Sequence, residues 1–252
     1  MQRTLATRPL FLITFMRITQ QPGFILHARP WRETSLLLEA FTHDFGRVGL
    51  VARGVRGARA RMPRSTLEPL QPLRLDWSGR GELRTLTAAE PEGNAPVLRD
   101  DRLLSALYVN ELLVRLTARD DANPDLFERY AGLLDELAAT RSLAWSLRRF
   151  ERDLLAAIGY ALQLETAADR GDPIEAARNY DYLPEHGPVA ADGTTRGVRV
   201  RGSALLALAA DAAVPDAEDM ASLRRLMRAL IAAHVGERGL QSWRVLAGIR
   251  AG

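Results

Sequence analysis

The sequence predicts an α+β protein of two domains, a five-stranded β-barrel followed by an all-α helical bundle. Two observations support this prediction. Short β-rich segments separated by turn residues fill 24–89, and beyond the stretch 91–96, which contains Pro and Gly, the apolar residues recur at helical spacing. We therefore place a barrel domain at 21–93 and a helical domain at 94–252.

Five short segments build the predicted barrel. The clearest is the fourth, where Leu73, Leu75 and Trp77 alternate with polar residues, which is the two-residue period of a half-buried strand. The five segments are 24–31, 35–42, 47–53, 73–78 and 82–87. Five strands in about 65 residues suit a small closed barrel, of which the OB-fold is the commonest nucleic-acid-binding example, and an SH3-like barrel would give a similar pattern.

The second domain shows the spacing of core-facing helices. Leu104, Tyr108, Leu112 and Leu116 fall four apart, and Leu107 is expected on the same buried face. Two further apolar stripes follow the same rule: Leu126, Tyr130, Leu133 and Leu137, and then Leu147, Phe150, Leu154 and Ile158.

A segment of different composition interrupts the helical domain. Residues 169–202 are rich in Gly, Pro and Asp, which favour turns and loops. We expect an irregular excursion there, with a short hairpin near 198–200. Helices then resume at Ser203, and the last of them carries Trp243.

Residues 1–20 are expected to form a flexible N-terminal extension. The apolar run 10–13 follows two arginines, as in a secretory signal, but Pro9 and Thr14 interrupt it and no small-residue cleavage site follows. The run is also too short to span a bilayer. Translation starting at Met16 is an alternative reading of this segment.

The composition excludes several chemistries. The chain has no cysteine, which removes disulfides, thiolate zinc sites, iron–sulfur clusters and cysteine nucleophiles. All 34 basic side chains are arginine, so a Walker A phosphate loop and a Schiff-base lysine are absent as well. Arginine binds phosphates through a planar fork and stacks on bases, which suits a polyanionic partner.

Positive charge is concentrated at the front of the chain. Residues 1–93 hold 14 arginines against 8 acids, whereas the remainder holds 20 arginines against 23 acids. A polyanion is therefore expected to bind the barrel domain.

The densest basic segment is 47–64. It contains six arginines and no acid, where uniform scatter would place about two and a half arginines. Because Gly54 and Gly57 lie among them, we expect a mobile loop from Gly54 to Ser65 that follows a nucleic-acid backbone. The alternative is a solvated loop in an arginine-rich protein. The candidate DNA contacts in this segment are Arg47, Arg53, Arg56, Arg59, Arg61 and Arg64.

Aromatic residues in the barrel are candidates for stacking on bases. Trp31 lies between Arg29 and Arg32, and we include all three among the candidate DNA contacts. Phe45 and Trp77 are also in the barrel, but aromatic residues at strand spacing belong more often to the core.

Little in the sequence indicates an enzyme. The four histidines are far apart and show no metal-ligand spacing. The pair His43-Asp44 leaves open a fragment of a catalytic triad, and scattered carboxylates leave open a metal-dependent nuclease, although no compact acidic motif is present. We predict no catalytic residue and no bound metal or other cofactor.

Two adjacent arginines lie on the third predicted helix. Arg148 and Arg149 point about 100° apart beside the apolar stripe, so at least one of them should be exposed at its rim. They are candidates for holding an acidic peptide with an apolar tip. An ordinary solvated flank of the helix would show the same pattern.

The run from Gly23 to Leu36 resembles the opening of RecO proteins, in which a strand ends in an R-x-[WY]-x-E-x-S element, here Arg29 to Ser35. Further landmarks of that family follow in the same order. They are Phe41-Thr42, Gly46-Arg47, Val51 to Arg56, Leu70-Gln71-Pro72, Gly79 to Leu83, Tyr108 to Leu113, Arg149-Phe150-Glu151, Leu154-Leu155 and Gly159-Tyr160. The resemblance covers 22–160 well and the remainder loosely, through Leu240 to Arg244.

The resemblance implies an OB-fold, a helical C-terminal domain and a cytoplasmic, nucleoid-associated recombination mediator without catalytic activity. Such a protein binds single- and double-stranded DNA and anneals complementary strands. Its partners are RecR and the acidic C-terminal tail of single-stranded DNA-binding protein, and it helps to load RecA. Many family members also carry a four-cysteine zinc module, but 169–202 contains no cysteine, so zinc is not expected here.

Two other functions remain as alternatives. A metal-dependent nucleic-acid hydrolase would cleave DNA in the presence of magnesium. A protein-binding adaptor would have no affinity for DNA.

Overall fold

Five strands form a closed barrel in the computed structural model, which describes residues 17–55, 62–191, 193, 196–211, 213–236 and 239–243. The strands are β1 (Arg17–Trp31), β2 (Ser35–Thr42), β3 (Gly46–Ala52), β4 (Pro72–Ser78) and β5 (Leu83–Pro91). Their order around the barrel is β1-β2-β3-β5-β4, and only the β3–β5 pair is parallel among them. This is the Greek-key barrel of the OB-fold, so the predicted barrel domain is confirmed.

Alternate residues of the strands fill the barrel interior. Ile25, Leu38, Leu50 and Leu75 are completely buried there, and Trp77 is buried with them. Phe45 packs edge-on against Trp77, with ring centroids 5.4 Å apart. Trp77 therefore belongs to the core and does not form a stacking surface for bases.

The barrel begins earlier than the sequence indicated. Residues 17–20, which we expected in the N-terminal extension, are part of β1, and Ile18 pairs with Trp77 of β4. Gln20 adopts a left-handed φ of 54° and donates its backbone N–H to Asp76 at 2.7 Å. The register of the pair shifts at this point, and the shift hides the alternation that identifies a strand. Residues 1–16 lie outside the described residues.

Five helices with defined bounds lie in the described part of the larger domain. They are α1 (Asp100–Leu116), α2 (Pro124–Ala139), α3 (Leu143–Ala157), α4 (Gly202–Ala210) and α5 (Ala217–Val235). The predicted start of the second helix is confirmed, because Asn123 Oδ1 accepts the backbone N–H of Leu126 at 2.9 Å and Pro124 occupies the first turn. No helix in the described ranges combines the length and apolar character needed to cross a membrane.

The helical domain is not all-α. The expected irregular excursion contains a three-stranded antiparallel sheet of β6 (Asn179–Leu183), β7 (Gly187–Ala190) and β8 (Val198–Arg201), in the order β7-β6-β8. Tyr180 and Tyr182 of the central strand are buried, and their hydroxyls accept backbone N–H groups of Glu175 and Gln163. Burial of these two tyrosines and the hydrogen bonds of their hydroxyls hold a segment whose composition alone favours loops.

The buried face of α1 also differs from the prediction. Tyr108, Val109 and Leu112 are buried, but Leu107 is 41% exposed. At about 100° per residue, Leu107 lies about 200° around the helix from Val109 and so faces away from the core. Leu104 is half-buried at the edge of the same exposed side.

The hydrophobic core of the helical domain extends onto the outer face of the barrel and is separate from the barrel interior. Phe24 and Phe41 point outward from β1 and β2 and pack against Phe127 and Tyr130 of α2, with ring centroids 5.1–6.0 Å apart. Asn110 of α1 joins them, because its side chain donates to the Leu26 carbonyl at 3.0 Å and accepts the Tyr130 hydroxyl at 2.7 Å. The barrel is thus held in a defined position on the helices.

Candidate nucleic-acid interface

The hairpin that joins β1 and β2 presents a tryptophan between arginines. Trp31 pairs with Ser35 at the end of the hairpin, and 37% of its surface is exposed. Arg29 points to the same side of β1, since alternate residues of a strand share a face, and Arg32 lies in the turn with φ of 55°. Within the described part of the chain, no carboxylate lies within ion-pair distance of Arg29 or Arg32.

Arg53 lies beside this hairpin although it is far away in sequence. The pairing of β2 with β3 places Ala52 opposite Leu36, and the Val55 N–H donates to the carbonyl of Thr34 at 2.9 Å. The side chain of Arg53 is exposed and forms no ion pair with any described acid. Its charge therefore adds to those of Arg29 and Arg32 at one end of the barrel, and we call Arg29, Trp31, Arg32 and Arg53 the hairpin surface.

The predicted basic loop is anchored at both ends. Val55 and Leu67 are buried in the barrel core, and Leu67 belongs to a 3₁₀ turn (Arg64–Leu67). Arg64 is exposed and lies 3.7 Å from Glu68, an exposed ion pair of the kind that contributes little. The other three predicted contacts of the loop, Arg56, Arg59 and Arg61, lie outside the described residues.

Arg47 has a different environment from the one we predicted. Its guanidinium donates to Glu39 at 2.7 Å and to the carbonyl of Thr117 at 2.8 Å, and only 13% of the side chain is exposed. The arginine joins the barrel to the end of α1. We therefore assign it to the domain junction and not to the DNA surface.

Other groups reinforce this junction. Arg119 also donates to Glu39, and that hydrogen bond raises the pKa of Arg119 against the opposing effect of burial. Arg84 of β5 donates to Asp120 at 2.6 Å. Gly46 lies so close to the backbone between α1 and α2 that an added Cβ would lie 1.9 Å from the Asp121 carbonyl oxygen. Glu39 is the one acidic residue of the otherwise uncharged strand β2. This isolated charge is the feature of the sequence from which the contact could have been predicted.

The two arginines of α3 differ in exposure. Arg148 is buried and donates to Glu151 at 2.5 Å, and the same carboxylate oxygen accepts the Tyr108 hydroxyl at 2.6 Å. Burial raises the pKa of Glu151, although Arg148 and Tyr108 act in the opposite direction. Arg148 Nε and Glu151 Oε2 have no hydrogen-bond partner among the described residues.

Arg149 lies at the rim of a small groove between α2 and α3. The groove has a volume of about 220 Å³, and Leu133 and Phe150 form its apolar part. Arg149 forms ion pairs with Asp211 and, at 3.2 Å, with Glu136. The sequence predicted at least one exposed arginine at the rim of the apolar face. Arg149 lies there with 26% of its side chain exposed, whereas Arg148 is buried.

His43 is placed in an interdomain contact. Its Nδ1 lies 2.5 Å from Asp44 Oδ1, while Nε2 faces Glu128 at 3.8 Å and the ring packs edge-on against Phe127. Hydrogen bonds from His43 and Gln21 lower the pKa of Asp44. The second ring nitrogen thus faces a carboxylate and not the serine that a catalytic triad requires. Over the described ranges, no three His, Asp or Glu side chains are grouped to hold a metal ion.

Comparisons with known proteins agree for both domains. Residues 16–94 match the family model for the N terminal of recombination protein O, and residues 100–244 match the model for its C terminal. A DNA repair protein RecO of Xanthomonas euvesicatoria is 46% identical over 235 residues, which are 92% of this chain and 97% of the relative. RecO of Stenotrophomonas maltophilia is 46% identical over 234 residues with the same coverage, and RecO of Nitrosococcus oceani is 46% identical over 236 residues, 93% of this chain and 95% of the relative.

Proposed function

Since this chain belongs to the RecO family of proteins in recombinational DNA repair, we propose that it binds DNA through the hairpin surface of its barrel. The observation that supports the proposal is a group of three exposed arginines, none of them paired with a described carboxylate, around a tryptophan that is 37% exposed. Other barrel arginines are already engaged, such as Arg47 with Glu39 and Arg84 with Asp120. Free guanidinium groups are available to phosphates, and an exposed indole offers a face to an unpaired base.

Binding through this surface is largely independent of sequence. Phosphate contacts position a nucleic acid without reading its bases, and stacking on an aromatic ring accepts any base. The exposed Arg64 and the arginines at 56, 59 and 61 extend the same positive charge along the chain. A protein that holds single strands in this way brings complementary strands together, so we include strand annealing and binding of double-stranded DNA in the proposal.

We further propose that the groove of Arg149 receives the acidic tail of single-stranded DNA-binding protein. A carboxylate of the tail would replace Glu136 or Asp211 as the ion-pair partner of Arg149, and the apolar end of the tail would lie against Leu133 and Phe150. In this proposal the buried Arg148 does not contact the tail. It acts indirectly, because its ion pair with Glu151 stabilises α3. We also propose that the protein acts together with RecR and helps to load RecA. This role requires no catalysis by this chain.

A salt titration tests DNA binding. Replacing Arg29, Arg32 and Arg53 by alanine should lower the affinity for single-stranded DNA and flatten the log–log salt dependence by up to about 2, since each phosphate contact contributes about 0.7. The matched control replaces Arg141, Arg178 and Arg196 of the helical domain by alanine. These side chains are exposed, and their replacement removes the same amount of positive charge. An equal effect of both variants would contradict the hairpin surface, and absence of salt-dependent binding by the unmodified protein would favour the adaptor alternative.

A second variant separates stacking from charge. Trp31→Ala should weaken single-stranded DNA binding by about 1–3 kcal/mol with an unchanged salt slope, because stacking releases no counterions. Trp31→Phe keeps an aromatic face and should retain most of the affinity. Equal loss in both variants would show that the ring serves the fold of the hairpin and not DNA.

A further inference from the structure

A second groove separates the barrel from the helical domain, on the side of β1 that also presents Arg29 and Trp31. It has a volume of about 550 Å³ and is larger than the groove of Arg149. Leu26 and His27 of β1 form one wall, and Leu104 and Leu107 of α1 form the other. The exposed apolar surface of Leu107, unexpected for a helix of the core, is thus part of this groove.

The groove begins where the hairpin surface ends. His27, Arg29 and Trp31 are alternate residues of β1 without a register shift between them, so all three point to the same side. His27 is exposed and lines the groove. A ligand that contacts Trp31 and Arg29 therefore reaches the groove by following one face of one strand.

Positive charge is present at the other end of the groove. Arg115 of α1 lines it and is exposed. Beyond it, Trp243 follows the lining residue Ser242, and the guanidinium of Arg228 in α5 lies 4.6 Å above the Trp243 ring. Arg224 and Arg225 are exposed one turn earlier on α5, and the sequence has no acid from Met220 to Gly236.

Glu111, the one carboxylate among the described residues that line the groove, already has hydrogen-bond partners. The two oxygens of Glu111 accept the backbone N–H groups of Gln241 and Ser242 at 2.6 and 2.8 Å. These bonds offset its negative charge within the groove. The apolar floor of the groove therefore lies between two groups of arginines.

We propose that this interdomain groove binds single-stranded DNA and joins the hairpin surface to the arginines of α5 in one continuous path. Bases lie against Leu104 and Leu107, and phosphates lie near Arg115 and Arg228. An apolar floor suits unpaired bases, because a duplex keeps its base faces stacked inside and presents phosphates. This inference rests on the proposed DNA binding and adds a path across both domains.

Two exposed leucines of α1 provide a matched test. Leu107 lines the groove, whereas Leu103, which is 37% exposed, does not. Leu107→Glu should weaken binding of an oligothymidylate of about 25 nucleotides about fivefold or more, while Leu103→Glu should stay within about twofold. For an oligomer of about 6 nucleotides, which the hairpin surface can hold alone, both variants should match the unmodified protein.

A double variant tests the far end of the path. Arg224→Ala with Arg225→Ala changes only exposed side chains and should weaken the longer oligomer but not the shorter one, with a flatter salt slope. Equal binding of the longer oligomer by the two glutamate variants would overturn the path while leaving the hairpin surface intact. A loss at Leu107→Glu that is the same for both lengths would also overturn it. If the unmodified protein binds neither oligomer, the proposed DNA binding itself fails.

Discussion

The guanidinium of Arg47 lies 2.7 Å from the carboxylate of Glu39 and also bonds to the carbonyl of Thr117 at the end of α1. Arg47 and Glu39 both belong to the barrel. Thr117, whose carbonyl accepts a further hydrogen bond from Arg47, belongs to the helical domain. Glu39 also accepts from Arg119, and its side chain is 15% exposed. One carboxylate therefore couples the two domains.

Arg47→Ala should destabilise the protein by about 2–4 kcal/mol, because it leaves a largely buried carboxylate and a carbonyl without one of their donors. Urea unfolding measures this loss. The control is Arg74→Ala, which breaks the more exposed pair with Glu92 and should cost under about 1 kcal/mol. If Arg47→Ala is as stable as the control but has lost DNA affinity, Arg47 is a DNA contact after all.

Gly46→Ala should prevent close docking of the domains. An alanine Cβ would lie 1.9 Å from the Asp121 carbonyl oxygen, and the φ of +61° is itself unfavourable for alanine. Gly54→Ala is the matched control, since its φ is +65° but no atom of the described residues lies within 4 Å of the added Cβ. We expect a loss of about 1 kcal/mol for the control and at least about 3 kcal/mol for Gly46→Ala. Similar melting temperatures for the two variants would contradict the close contact.

Arg148→Ala and Arg149→Ala should separate stability from peptide binding. Arg148→Ala leaves Glu151 buried without its ion-pair partner and should destabilise the protein by about 3 kcal/mol. Arg149→Ala should cost less stability and should weaken binding of an acidic tail peptide about tenfold, with little change in DNA affinity. Isothermal titration with the peptide measures the second effect. Unchanged peptide affinity in Arg149→Ala would place the tail elsewhere.

Asp211 should contribute stability that is lost in acid. Burial raises the pKa of this carboxylate, but the hydrogen bonds from Arg149 and Arg152 lower it. Because the lowering effects together exceed the effect of burial, the pKa lies below the ordinary value of 3.8. For a lowered pKa the stabilisation is present above the unfolded value and disappears as the pH falls through the folded value. Asp211→Asn should therefore be less stable than the unmodified protein at pH 7.

The substitution is well matched because asparagine tolerates the left-handed φ of 53° at this helix end. The difference in unfolding free energy between Asp211→Asn and the unmodified protein should narrow as the pH falls below about 4. Urea unfolding at several pH values gives this comparison. A difference that is constant with pH would mean that the carboxylate charge is not what stabilises the contact.

The order of elements and the family could be predicted from the sequence because they depend on local patterns. Alternation at Leu73, Leu75 and Trp77 identifies a strand wherever it packs, and Asn123 with Pro124 begins a helix through bonds within its own first turn. The pairing of Trp31 with two arginines was visible for the same reason. Turn residues and strand period act over a few positions and need no distant partner.

Only the tertiary structure decided which arginines are free. Arg47 and Arg53 are equivalent in the sequence, six residues apart in one basic segment. The fold brings Glu39 and Thr117 to Arg47, whereas Arg53 is exposed and pairs with no described acid. Arg148 and Arg149 diverge similarly, since a rotation of about 100° along α3 buries one beside Glu151 and leaves the other at a rim. Whether a charge is paired depends on residues far away in the chain, and the same holds for the sheet at Tyr180 and the exposed side of Leu107.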